Sequence, residues 1–352
     1  MAPCYLHGAV WLAGAALVAL AACTERPRAG AHPTGDAPVP ASSDAGSNGA
    51  GSADGSTAAN ASSDASADGA LASIDGGGPP LTSDPRFASA APTRGKSIGH
   101  TSVVFKLGLE GDVEAAYKPR SRRGAERFRG EIAAYRLSRA LGLDNVPPAY
   151  PRSFALEALR GALAPAAVEL LDREAVAEAN GEVRGAIIPW IPKLEFLPLE
   201  EAAWRTRWQG WLERGAAIPD ADRPLATQIS TMIVFDLVTG NWDRWSGANI
   251  GIDRATGTLL FVDNDGAFFD PPPAEPLARQ RTELTRVRRF SRPFIDALRA
   301  MDEAALTAAF GDESPGHPLL PPRIVHAADE RRRAALAVID ATTAREGKAA
   351  FF

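Results

Sequence analysis

Cysteine is almost absent from this 352-residue chain: Cys4 and Cys23 are the only two, and both precede any stretch able to form a core. A disulfide framework and a cysteine-based zinc site are therefore excluded for the folded body. An excess of basic charge is missing too, because 38 Lys and Arg face 43 Asp and Glu for a net charge of −5. Nucleic-acid binding usually rests on a basic patch or stripe, so no nucleic acid is expected as a partner. Aromatic residues make up only 7%, yet 45% of the chain is apolar, which is ample for a core. Lysine is scarce as well: of the 38 basic residues only Lys96, Lys106, Lys118, Lys193 and Lys348 are lysines. A long hydrophobic run occurs once, at GAVWLAGAALVALAA, residues 8–22, which is too short to span a bilayer comfortably and has the length of an export signal.

That run ends in Leu20-Ala21-Ala22-Cys23, which resembles the lipobox of bacterial lipoproteins, although the preceding MAPCYLH carries no Lys or Arg. The resemblance implies a signal peptide over residues 1–22, lipidation of Cys23, and export with anchoring to a bacterial membrane, in the periplasm or at the cell surface. A plain secretory signal is the alternative. Residues 23–96 are mostly Ala, Ser, Gly, Asp and Pro, as in SSDAGSNGAGSADGSTAANASSDASADG. Such a composition buries too little apolar surface to offset its ordering entropy, and a flexible tether is expected.

From Ser97 onward large apolar residues and periodicity return. Residues 101–109 and 113–117 read as two strands about the turn Glu110-Gly111-Asp112, and 125–141 as a helix stopped by Gly142. Val146-Pro147-Pro148 forces an extended exit into a strand at 149–154, and RGAIIPWI at 184–191 reads as a strand entering a hinge between lobes. Residues 225–237 form a strongly apolar helix ended by Gly240, then two short strands at 248–252 and 258–262 flank a turn. Helices are expected at 294–301, 303–310 and 323–339. The order is an α+β fold of two lobes, a β-rich first lobe over 97–192 and a mainly helical second lobe over 193–352.

Four polar features fall at element junctions. Lys118 in AAYKP closes the second strand, where a compact ammonium suits phosphate as a point charge. Glu131 in RGEIAAYRL lies on the first turns of the following helix, able to pair with Lys118 or reach a cation. GNWDRWSGAN supplies Asp243 and Asn249 on one loop, and FVDNDGAFF supplies Asp263 after an apolar strand. Pairing of the hairpin strands brings Asn249 and Asp263 to the same end, two oxygen ligands suited to Mg²⁺ or Mn²⁺. An EF-hand reading of Asp263-Asn264-Asp265-Gly266 fails on the placement of its Gly and the missing Glu. A lysine for the phosphates of ATP, a metal bridging them and a carboxylate that accepts a hydroxyl proton are the parts of phosphoryl transfer, and they occur here in kinase order.

The stretch YKPRSRRGAERFRGEIAAYRLSRALGLDNVPP resembles the secretory-pathway kinases, the group that contains the Golgi casein kinase, the glycan xylosylkinase and four-jointed. GNWDRWSGAN and VDNDGAFF resemble that family's N-x-D-R catalytic loop and D-N-G metal motif. The resemblance implies an atypical kinase fold in which Lys118 holds the phosphates of ATP and Glu131 supports that lysine or the metal. Asp243 would be the catalytic base, and Asp263 and Asn249 metal ligands. The chain departs from the pattern at Asn249, where the family tends to Glu, at Asp265 before the glycine, and in lacking the family's second-lobe cysteines. The expectation is an exported, membrane-tethered ATP-dependent kinase acting on a hydroxyl of a protein or glycan. The alternatives are a nucleotide-binding pseudokinase, or a kinase nearer the lipid kinases or the HipA type.

Overall fold

The computed structural model describes residues 84–99, 102–124 and 126–352. The expected signal peptide, Cys23 and most of the expected tether lie outside the described residues. Among the described residues no helix is long and apolar enough to cross a membrane.

The first lobe is an antiparallel sheet with helices against it. After the short α1 (Arg86–Ser89) come β1 (Pro92–Ser97), β2 (Phe105–Leu109) and β3 (Val113–Pro119), then α2 (Phe128–Ala140) and β4 (Tyr150–Ala155). The helices α3 (Leu156–Ala162) and α4 (Pro165–Glu174) precede β5 (Glu182–Pro189), and the strand order is β1-β2-β3-β5-β4. Alternation places Phe105, Leu107, Tyr117, Phe154 and Ile187 in one core with Leu159 of α3 and Leu171 of α4. The folded body starts earlier than the sequence boundary at 97. Pro92–Ser97 has no apolar alternation and is held as an edge strand by main-chain pairing with β2, a contribution that hydropathy does not register.

The second lobe opens with β6 (Glu195–Phe196), α5 (Ala202–Leu212) and α6 (Arg223–Thr239). The hairpin β7 (Ile250–Asp253) and β8 (Thr258–Phe261) joins β6 in a three-stranded antiparallel sheet. Then follow α7 (Ala274–Arg286), α8 (Arg292–Ala300), α9 (Glu303–Phe310), the small pair β9 (Asp312–Ser314) and β10 (His317–Pro318), and the long α10 (Pro322–Glu346). The run ISTMIVFDLVT of α6 is buried all round, as a helix at the centre of a lobe should be.

The helix α2 belongs to the first lobe by sequence but packs against both lobes, lying on β4 and β5 as well as on the second lobe. Its Phe128, Ile132, Ala134 and Leu137 are in the same apolar cluster as Phe235 of α6, Phe261 of β8 and Phe310 of α9. Polar ties run the same way. Glu313 of β9 accepts from Arg129 of α2 at 2.8 Å and from Arg184 of β5 at 3.0 Å, so both lobes share one buried carboxylate. The junction between the lobes is thus built around α2.

Candidate active site

The site gathers on α2, on the end of β3 and on the two loops that follow α6 and β8. Lys118 stands opposite Ala186 of β5 and is 7% exposed. Its ammonium donates to Glu131 Oε1 at 2.5 Å, Asp263 Oδ1 at 2.6 Å and Asp265 Oδ2 at 3.4 Å. Burial pulls the Lys118 amine down, but the charges of Asp263, Glu131 and Asp265 outweigh it and hold the amine well above its usual value. For Asp263 burial raises the carboxyl and Lys118 outweighs it, so the group lies below its usual range. Glu131 is pushed up by burial, against the pull of Lys118.

Glu131 also accepts the main-chain N–H of Asn264 at 3.0 Å, which fastens α2 to the loop after β8. That loop comes so close to the helix that Gly130 is required. A Cβ there would stand 2.6 Å from the carbonyl oxygen of Asn264 and 3.1 Å from that of Ala267. Asp263 has φ of +56°, a left-handed conformation that costs a non-glycine residue about 1 kcal/mol or more and collects at functional sites. Arg127, at the start of α2, pairs with the Asp265 carboxylate and lies over the rings of Trp242 at 5.9 Å and Phe269 at 5.7 Å.

Asp243 lies on the loop after α6, with its N–H donated to Asn241 Oδ1 at 3.2 Å. Burial raises its carboxyl, and the charges of Asp263 and Asp265 add to the rise. The next residue organises the loop. Arg244 is 1% exposed and forks onto Asp236 of α6, with Nε at 3.1 Å from Oδ2. Its Nη1 donates to the carbonyls of Asn249 and Val262, at 2.8 and 2.5 Å, and its Nη2 to Asn264 Oδ1 at 2.6 Å. One guanidinium therefore joins α6, the Asp243 loop and the Asp263 loop.

The hairpin places Asn249 where Val262 N–H meets its carbonyl at 3.2 Å, next to Asp263 in the chain. The Asn249 amide nitrogen donates to the carbonyl of Asp243 at 2.9 Å and to Ser246 Oγ at 3.1 Å. Its Oδ1 accepts no hydrogen bond among the described residues. Among the described residues, no three His, Cys, Asp or Glu side chains already surround a common point as metal ligands would. The donor set nevertheless fits a hard divalent cation: Glu131, Asp263 and Asp265 are all oxygen donors, and three carboxylates face the two cations Lys118 and Arg127. Beside Lys118, a recess lined by Ser121, Gly124, Arg123 and Arg127 opens between β3 and α2.

The sequence-derived residues Lys118, Glu131, Asp243, Asn249 and Asp263 thus lie in one connected network. Sequence reasoning assigned no role to Asp265, Arg127, Arg244 or Asp236. Asp265 and Arg244 stood inside quoted motifs and could have been found there.

No protein-family model matches the sequence, and no curated protein matches it. Solved structures do. The Golgi casein kinase with Mn and ADP bound superposes at TM-score 0.56 and 15% identity over 75% of this chain and 76% of that one. A hydra Fam20 with sugar does so at TM-score 0.56 and 17% identity over 76% of this chain and 90% of that one. The chain has the fold of these kinases. A second structure of the Golgi casein kinase agrees at TM-score 0.52 and 14% identity over 74% of this chain and 75% of that one. Lys118, Glu131, Asp243, Asn249 and Asp263 lie where the β-sheet lobe meets the helical lobe.

Proposed function

We propose that the chain is a metal-dependent phosphotransferase that uses ATP to phosphorylate a hydroxyl group of a protein or glycan, and that it belongs with the secretory-pathway kinases. The observation that carries this reading is the convergence of Lys118, Glu131 and Asp263 on one point, with the partly buried Asp243 carboxylate near enough to feel the charge of Asp263 and Asp265. That combination is what positioning and electrostatic catalysis of phosphoryl transfer needs. The structural neighbour bound to Mn and ADP supports a nucleotide and a divalent metal as cofactors.

In this reading Lys118, positioned by Glu131, holds the phosphates of ATP as a fixed positive charge. Asp263, Asn249 through its free Oδ1, and Glu131 or Asp265 would hold Mg²⁺ or Mn²⁺, which supplies positive charge against the developing charge on the phosphates. Asp243 orients the acceptor hydroxyl and takes its proton. Arg127 and the recess beside Lys118 add positive charge along the phosphates. The apolar run at residues 8–22 and the lipobox-like Leu20-Ala21-Ala22-Cys23 support the reading of an extracytoplasmic enzyme anchored through lipidated Cys23.

The test is incubation of the purified chain with labelled ATP, Mg²⁺ or Mn²⁺ and mixed protein and glycan acceptors, beside Asp243→Ala and Asp263→Ala. Metal-dependent transfer that both variants lose is the expected result. Equal background in all three would end the enzyme reading, and metal-dependent nucleotide binding without transfer would make the chain a pseudokinase.

A further inference from the structure

The loop that carries Asp243 is gripped from behind by two helices that contribute nothing to the cleft. Gln280 of α7, 8% exposed, donates from Nε2 to the main-chain carbonyl of Asn241 at 2.5 Å. A carbonyl can only accept, so the partner fixes which end of the amide faces it. Arg331 of α10, 4% exposed, donates from Nε to the carbonyl of Val238 at 2.9 Å and from Nη2 to that of Thr239 at 3.5 Å. Three main-chain carbonyls at the entry to the loop are thereby satisfied from outside it.

Asn241 is the node. It is fully buried; its Oδ1 accepts the N–H of Asp243, and its Nδ2 reaches Asn264 Oδ1 at 3.5 Å, one residue beyond Asp263. Gly266 packs so tightly here that a Cβ would stand 2.8 Å from Asn241 Oδ1. The main chain of Asn241 is fixed by Gln280 while its side chain spans from the base to the Asp263 loop.

Packing alone does not explain a glutamine at this place. Gln280 Oε1 is buried without a hydrogen-bond partner, a desolvation cost that a leucine of similar volume would avoid. What the amide provides and leucine cannot is the donor to Asn241. We infer that Gln280 is a positioning residue for Asp243, acting through the main chain of Asn241. This deepens the phosphotransferase reading and rests on it.

The test compares the full chain with Gln280→Leu and Gln280→Glu by hydrogen–deuterium exchange and by steady-state transfer. In Gln280→Leu, exchange over residues 240–249 should rise about tenfold while peptides from β2, β3 and α10 stay close to wild type. Its kcat should fall about 10- to 100-fold with the KM for ATP little changed, the signature of a displaced group and not a lost binding contact. In Gln280→Glu the introduced acid can donate to Asn241 only when protonated. Its activity relative to wild type should therefore recover as pH falls and worsen as pH rises, and exchange over 240–249 should follow the same course while α10 peptides do not; a merely buried carboxylate would loosen both together. Unchanged exchange over 240–249 in Gln280→Leu, or a pH-independent loss in Gln280→Glu, overturns the inference. If Gln280→Leu melts below the assay temperature, exchange over 240–249 in Gln280→Glu, read against α10 peptides across pH, decides. A wild-type chain without transfer activity sinks the enzyme reading, and the exchange comparison still decides whether Gln280 holds the loop.

Discussion

Glu131 and Asn264, 133 positions apart in the chain, are joined by a hydrogen bond from the Asn264 main-chain N–H to Glu131 Oε1 at 3.0 Å. The same oxygen receives the Lys118 ammonium. The helix α2 therefore reads the position of the loop after β8 directly, and the residue before Glu131 sets how close the two can come.

Gly130→Ala should lower stability although alanine is the better helix former by about 1 kcal/mol. The two nearest atoms its Cβ would meet are main-chain oxygens, which cannot rotate aside. A loss of about 1 to 3 kcal/mol in urea unfolding is expected. A variant as stable as wild type would mean that the loop yields at no cost.

Asp243→Asn should reduce phosphoryl transfer by about 10² to 10⁴ and leave nucleotide affinity within a few-fold. The base must be ionised, and burial with the charges of Asp263 and Asp265 raises its carboxyl. Transfer by the wild type should therefore climb with pH along a limb whose midpoint lies above the usual carboxylate range. A limb that persists unchanged in Asp243→Asn would remove Asp243 as that base.

Arg244→Met strands Asp236, whose carboxyl burial already raises against the pull of Arg244. Removing one partner of a buried pair costs about 3 to 5 kcal/mol. The penalty should shrink at acid pH, where a protonated Asp236 needs no counter-charge. The double variant Arg244→Met, Asp236→Leu should recover part of the loss in chemical unfolding.

Glu283 of α7 predicts a pH dependence of folding. Burial, then the charges of Glu213 and Asp236, push its carboxyl from 4.5 up to about 7, against Arg205 and Arg286. A carboxyl raised in the fold favours the protonated form there, so its contribution is full below pH 4.5 and is lost as pH rises towards 7. The group should make the protein about 3 kcal/mol less stable above that window than below it. Glu283→Gln should flatten this fall and raise the melting temperature at pH 8; an unchanged melting temperature there would count against a raised Glu283 carboxyl.

The blocks AAYKP, RGEIAAYRL, GNWDRWSGAN and FVDNDGAFF were legible because each pairs a polar residue with the end of a strongly periodic element. Helix α6 and the hairpin after it fix where two of the loops leave the core, so their polar residues could be placed from spacing alone. The helix α7 was not legible: AEPLARQRTELTR buries only Gln280 and Leu284, so no apolar stripe announces it. Its role depends on a hydrogen bond to a residue 39 positions away. The Arg127–Asp265 and Arg244–Asp236 pairs share the difficulty, since charge pairing between elements leaves no local period. The early start of the sheet at β1 was hidden for a related reason, because main-chain pairing is blind to side-chain type.

The ring of carboxylates around Lys118 has a further chemical consequence. An amine attacks electrophiles only in its neutral form, and this one is buried and held strongly as the cation. Acylating reagents should find Lys96, Lys193 and Lys348, all exposed, and pass Lys118 by. A cation that drew Asp263 and Asp265 to itself would leave Lys118 less firmly charged, and its rate of modification would become a direct measure of how many of its three carboxylates it still owns.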